Sequence, residues 1–274
     1  RSTPLPAAVE AGSRAGSTPD DAVPLDGPVP PAPFLGARQV HGVPLEAILP
    51  FVNETRLFAT RWGFHRRSLS PDRHTALLRD EVRPRYQEWL RRIADEGWLQ
   101  ASVSYGYFLA RASGESLTLD SGSRAATFTF PRQKFAPHRC IADFFRPADA
   151  GDDLAAAFAV TVGERFAPAI AACRATDRYQ DYLMLHGLAV ELTEALAEGW
   201  HRKIRRELGI GAQAGARYGF GYPACPDLDG QRPLLELLDA DQIGITLTES
   251  CQMVPEFTTA ALVVHHPQAH YFAV

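Results

Sequence analysis

Residues 217–227 read RYGFGYPACPD, which packs an arginine, two glycines, two tyrosines, two prolines and a cysteine into eleven positions. That mixture suits neither a helix nor a strand. Gly219 and Gly221 admit positive φ and leave bare backbone against which a ligand can lie. Pro223 and Pro226 fix the chain that follows. Arg217 carries a guanidinium fork that matches a carboxylate, and Tyr222 a flat ring with a hydroxyl. Together these groups suit a small zwitterionic ligand with an aromatic part and a cationic centre that a ring face attracts. The competing reading is a tight structural loop with Arg217 in a surface ion pair. The segment matches neither a G-x-G-x-x-G dinucleotide turn nor a phosphate-binding P-loop.

Other residue types invite chemistry less strongly. His265, His266 and His270 are close in sequence, but neighbours on an extended strand point to opposite faces, so one metal ion cannot easily use both His265 and His266. No metal site is expected. Cys225 has no His or Lys beside it in sequence and reads as a packed thiol, not a nucleophile. No catalytic acid, base or nucleophile set emerges from the sequence.

The elements that must position the loop follow from periodicity. Residues 177–208 form the clearest helix, with Leu185, Leu188, Leu192, Leu196, Trp200 and Ile204 at helical spacing. Gly187 and Gly199 weaken it by about 1 kcal/mol each relative to alanine, a cost tolerated where a neighbour must approach closely. On its other side Glu191, Glu194, Glu198 and His201 read as a solvated polar stripe. Residues 44–62 suggest two short helices broken at Pro50, and residues 75–98 a helix that Pro84 kinks. Residues 101–110 and 124–133 alternate as strands, and residues 154–163 read as a strand buried on both faces. The stretch between them, SGESLTLDSGSR, reads as turns. After the loop come a short helix at residues 231–239 and strands at 243–248, 258–265 and 271–274. Strands and helices do not alternate regularly, so the expected class is α+β, a twisted antiparallel sheet with segregated helices. Residues 1–33 hold Pro, Ala, Gly, Ser and Asp without an aromatic side chain and read as a flexible linker ahead of one compact domain at 34–274.

Bulk properties exclude several classes. With 28 basic and 32 acidic residues the net charge is −4, and no basic run suggests nucleic acid. No apolar run approaches the roughly 18 residues of a membrane helix. Four scattered cysteines give neither a zinc knuckle nor a disulfide framework, so a reducing cytoplasm is expected.

The loop also carries a resemblance. RYGFGYPACPDLDGQ resembles the R-x-x-x-GYPACPD segment of the activation domain of cobalamin-dependent methionine synthase. FPRQ at 130–133, CIADFF at 140–145, LTEALAEGWHRKIRRELG from Leu192 and the run from Leu247 to Val274 resemble it in the same order. The resemblance covers residue 34 onward. It implies a C-terminal module that binds S-adenosylmethionine. That ligand serves as methyl donor for reductive remethylation of cob(II)alamin held on the cobalamin-binding domain of the same enzyme. The electron comes from a flavodoxin-type donor. It further implies that Arg217, Gly219, Gly221 and Tyr222 hold the ligand, with Tyr271 and Phe272 as a terminal aromatic pair and Glu194 as a helix carboxylate beside it. Asn53 departs from the pattern, because the family usually has an aspartate there in contact with the ligand. Asparagine keeps an acceptor but loses a charge, which predicts weaker binding and a gain in affinity for Asn53→Asp. Cobalamin is expected only at an interface, and the chain by itself is expected to show no turnover. The alternative is a docking module that positions the cobalamin domain or recruits the reductase without effective ligand binding.

Overall fold

The computed structural model describes residues 22–67 and 69–274. Strands β1 (Gly36–His41), β2 (Ser102–Ser113), β3 (Ser116–Asp120), β4 (Ala125–Thr129), β5 (Asp153–Thr161), β6 (Ala216–Tyr218) and β9 (Thr258–Val264) form one antiparallel sheet. Its order is β4-β3-β2-β5-β9-β6. The twelve residues of β2 serve two partners on one side: β1 pairs with residues 102–107 and β3 with residues 109–113. A two-stranded ribbon of β7 (Thr246–Leu247) and β8 (Met253–Val254) stands apart. The helices are α1 (Leu45–Ile48), α2 (Pro71–Leu77), α3 (Arg83–Asp95), α4 (Phe166–Ala175), α5 (Tyr179–Glu207) and α6 (Gln231–Leu237). The α+β architecture with an antiparallel sheet is as the sequence predicts.

Period-two alternation sorts the sheet into two cores. Leu154, Ala156, Phe158 and Val160 of β5 face a core shared with α3, α4 and α5, while Ala155, Ala157 and Ala159 face a second core with α6 and Phe144. Every residue of β5 is buried, as its unbroken apolar run requires. Helix α5 crosses β5 and β9. Gly187 and Gly199 have the predicted use. A Cβ on Gly199 would stand 2.9 Å from the Phe51 ring, and one on Gly187 would stand 3.0 Å from the Arg61 Cβ. These gaps let residues 51–62 lie directly on α5.

Several expectations need correction. SLTLD, read as part of a turn region, is β3, whose alternating Leu117 and Leu119 are fully buried. Residues 44–62 form α1, a 3-10 turn at Leu49–Phe51 and a π-helix at Arg56–Arg61 instead of two ordinary helices. The helix expected at 75–98 is α2 and α3 joined through a π-turn at Leu78–Val82, and Pro84 lies where that π-turn passes into α3. Only Thr246–Leu247 of residues 243–248 is a strand, and residues 271–274 form none. Of the expected linker, residues 1–21 lie outside the described residues. Residues 22–33 run along the domain without helix or strand, with Arg146 donating to the Gly27 carbonyl at 2.7 Å and His266 Nε2 2.8 Å from the Pro24 carbonyl.

Candidate functional site

The candidate site lies where edge strand β6 runs out of the sheet beside α5. On a helix, residues three and four apart share a face, so α5 presents Glu191, Glu194 and Glu198 together. Arg217 of β6 donates from Nη1 to Glu198 Oε2 at 3.0 Å and stands 3.9 Å from Glu194. Arg202 donates to the other Glu198 oxygen at 2.7 Å. Burial pushes the Glu198 carboxyl up, but the Arg202 hydrogen bond and the charges of Arg217 and Arg202 outweigh it and hold it below the usual range. Among the described residues, Glu194 has the longer Arg217 contact and no hydrogen-bonded partner.

From the end of β6 the chain leaves the core for the surface within five residues. Tyr218 is buried and donates its hydroxyl to the His270 carbonyl at 2.7 Å. Phe220 packs against Phe128 and Phe130. Tyr222 is 50% exposed. Gly221, at φ +83°, donates to the Cys225 carbonyl, and Cys225 donates back to the Tyr222 carbonyl, both at 2.8 Å, so a tight turn closes around Pro223. A Cβ on Gly219 would meet the Tyr222 ring at 3.0 Å and the Ala260 carbonyl at 3.3 Å, so this backbone stays open to the ring only as glycine. The chain's last residues return to the turn: Val274 donates to the Pro223 carbonyl at 3.1 Å and Gln133 to the Ala273 carbonyl at 2.9 Å. Tyr271 is thereby left 56% exposed. Burial raises the Tyr222 phenol, with further upward pushes from Glu194 and Tyr271 against downward ones from Arg217 and Arg61. All four groups are thus within electrostatic reach of one ring.

The structure therefore brings Glu194, Arg217, Gly219, Gly221, Tyr222 and Tyr271 to one open shelf. Asn53 joins it indirectly. Its Oδ1 accepts from the Arg56 backbone N–H at 2.9 Å, and its own N–H donates to Glu191 at 3.2 Å. The Phe272 ring does not reach the open surface: it is buried in the second core against Tyr218 and Phe144.

The polar stripe is not the solvated face that the sequence suggested. His201 is buried and Glu191 has no exposure at all. Glu191 accepts from Arg56 Nε and Nη2, both at 2.9 Å, and from Arg61 Nε at 3.1 Å. The glutamate's place on the helix was legible, but its two arginine partners lie more than a hundred residues away in the chain. Arg132 is tied to Asp143 by bonds of 2.7 and 2.9 Å and braces the turn at Ile141–Phe144. His265 binds Asp153 at 2.7 Å, whereas His266 binds the Pro24 carbonyl. Among the described residues no three His, Cys, Asp or Glu side chains are grouped to hold a metal ion, and no helix is long and apolar enough to cross a membrane. Two cavities lie away from the shelf. One of about 380 Å³ is lined by Arg92, Trp98 and Arg165, and one of about 570 Å³ lies under residues 24–31.

Fold and shelf together define a mixed α+β domain in which an antiparallel sheet and one long helix hold polar and aromatic groups around exposed backbone. The chain belongs to the family described as vitamin B12 dependent methionine synthase, activation domain, whose profile matches residues 44–274. It is 37% identical to methionine synthase of Mycobacterium leprae (strain TN) and 38% identical to that of Mycobacterium tuberculosis (strain ATCC 25618 / H37Rv), in each case over 90% of this chain. It spans only 23% of the length of those relatives. Among solved structures, it superposes on a MetH reactivation domain bound to AdoHcy with a TM-score of 0.75 and 26% identity, covering 93% of this chain and 86% of that one.

Proposed function

We propose that this chain binds S-adenosylmethionine on the shelf and presents it to cobalamin carried by another domain of a methionine synthase. The methyl group so delivered restores methylcobalamin after cob(II)alamin has been reduced by a flavodoxin-type donor. The observation that carries the reading is the convergence of Glu194, Arg217, Tyr222 and Tyr271 around the open backbone at Gly219–Gly221. The chemistry of that donor set suits the ligand. Arg217 and the loop peptides match its carboxylate, Glu194 its ammonium or sulfonium charge, and the tyrosine rings its aromatic and sulfonium parts. The related domain with AdoHcy bound supports the same class of ligand. S-Adenosylmethionine supplies an electrophilic methyl group. The residues of this chain contribute binding and orientation, which the reaction needs more than proton transfer. The four free thiols accord with a cytoplasmic setting.

A docking-only role is the second reading, and Asn53 favours it, because both its Oδ1 and its N–H serve the chain's own structure. Thermal melting separates the two. Millimolar S-adenosylmethionine at a hundredfold excess over Kd stabilises a binder by about 2.7 kcal/mol. At 2–4 °C per kcal/mol for a domain of this size, the midpoint should rise by roughly 5–10 °C. An unchanged midpoint at millimolar ligand would favour docking alone.

A further inference from the structure

A buried carboxylate needs one cation, and Glu191 has two. Arg56 and Arg61 both donate to it, so this cluster carries one surplus positive charge. Asparagine at position 53 adds no charge to offset that surplus, where an aspartate would, and leaves Glu194 as the carboxylate that faces it. Arg61 is the more enclosed partner, with a side chain 25% exposed against 42% for Arg56. Arg56 spends Nε and Nη2 on Glu191, and its Nη1 has no protein partner among the described residues. Arg56 is bonded to Glu191, which lies one turn before Glu194 on the same face of α5, so the guanidinium stands at the edge of the shelf. Of the other guanidiniums there, Arg61 is the more enclosed and Arg217 is already bonded to Glu198 at 3.0 Å.

We infer that Arg56, fixed in place by the buried Glu191, is a second guanidinium of the ligand shelf and reads the carboxylate at the amino-acid end of the ligand. This rests on the ligand class proposed above. Glu191 acts through Arg56 and is a positioning residue: by holding two of the guanidinium nitrogens it fixes the plane of the fork and directs the third outward. A guanidinium prepared in this way loses little freedom on binding, which is where a preorganised charge gains over a mobile lysine.

The test uses two probes that share the nucleoside and thioether. S-Adenosylhomocysteine carries the amino-acid carboxylate and 5′-methylthioadenosine lacks it. Calorimetric titration compares the wild-type chain with Arg56→Gln and Arg56→Lys. Both variants leave Arg61 to neutralise Glu191, and melting curves confirm that each is folded. The expected result is a loss of about tenfold in affinity for S-adenosylhomocysteine in Arg56→Gln, partial recovery in Arg56→Lys, and unchanged binding of methylthioadenosine. An equal loss for both probes would mark Arg56 as structural and overturn the inference. Unchanged binding of S-adenosylhomocysteine in Arg56→Gln would overturn it too, with the ligand class intact. A wild-type chain that binds neither probe would overturn the ligand class and this inference with it.

Discussion

Replacing Glu191 with glutamine keeps the side chain's volume and removes its charge. In the wild-type protein the carboxylate has no exposure and accepts four bonds, two from Arg56 and one each from Arg61 and the Asn53 N–H. Glutamine keeps one acceptor oxygen and, in either orientation, turns its amide N–H₂ toward two N–H donors, one of them from Arg56. Stranding one partner of a fully buried ion pair costs about 3–5 kcal/mol. Here the two arginines are 42% and 25% exposed and recover part of their hydration, which lowers the expected cost to about 2–3 kcal/mol. That corresponds to a fall in melting temperature of roughly 4–12 °C at 2–4 °C per kcal/mol. Because the carboxylate is buried, the loss should persist in 0.5 M salt, where a surface pair would be screened. Differential scanning calorimetry at low and high salt measures it. In a double-mutant cycle, Arg56→Gln should cost less in the Glu191→Gln background than alone. A midpoint within a degree of wild type at both salt concentrations would refute the clamp.

Gly199→Ala should gain up to about 1 kcal/mol in helix propensity and lose more to the Phe51 ring 2.9 Å away, for a net fall of a few degrees; a rise in melting temperature would mean the two elements are not so closely packed. Burial, followed by the positive charge of Arg205, pushes His201 down to about 4 from an ordinary 6.5. The unfolded chain therefore takes up this proton first as pH falls. Its contribution is complete above pH 6.5, declines by on the order of 3 kcal/mol down to about pH 4, and is level below that. Urea unfolding across this range should show a shallower acid slope for His201→Gln, and identical slopes would refute the assignment. Burial likewise raises the Cys140 thiol to about 11 and the Cys225 thiol to about 12, and Cys173 is buried too. A thiol reagent should label Cys251 alone in the folded chain and all four after unfolding; rapid native labelling of Cys225 would contradict the packed loop.

How far the sequence could be read depended on how local each cause was. The loop was legible because its glycines and prolines act within a few residues. Helix α5 was legible because its leucines repeat over 29 residues. The use of Gly187 and Gly199 could be anticipated as close approach, though not which element would approach. Strand β3 was hidden because five residues of alternating pattern sit among Gly, Ser and Asp, and only pairing with β2 and β4 gives them a partner. The strand expected at the C-terminus has the right in-and-out pattern at Tyr271 and Phe272, yet it lies against the 222–225 turn instead of a sheet edge. The burial of Glu191 had no local signal. A glutamate on the helix face opposite the leucines looks solvated until two arginines from residues 56–61 are folded over it.

The most direct measurement is a crystal structure of this chain with S-adenosylhomocysteine. The nucleoside and amino acid should lie along Gly219–Tyr222, with Glu194 and Tyr271 in contact and both Arg56 and Arg217 at the carboxylate. Ligand density elsewhere, for instance in the 570 Å³ cavity under residues 24–31, with the shelf left empty, would contradict it.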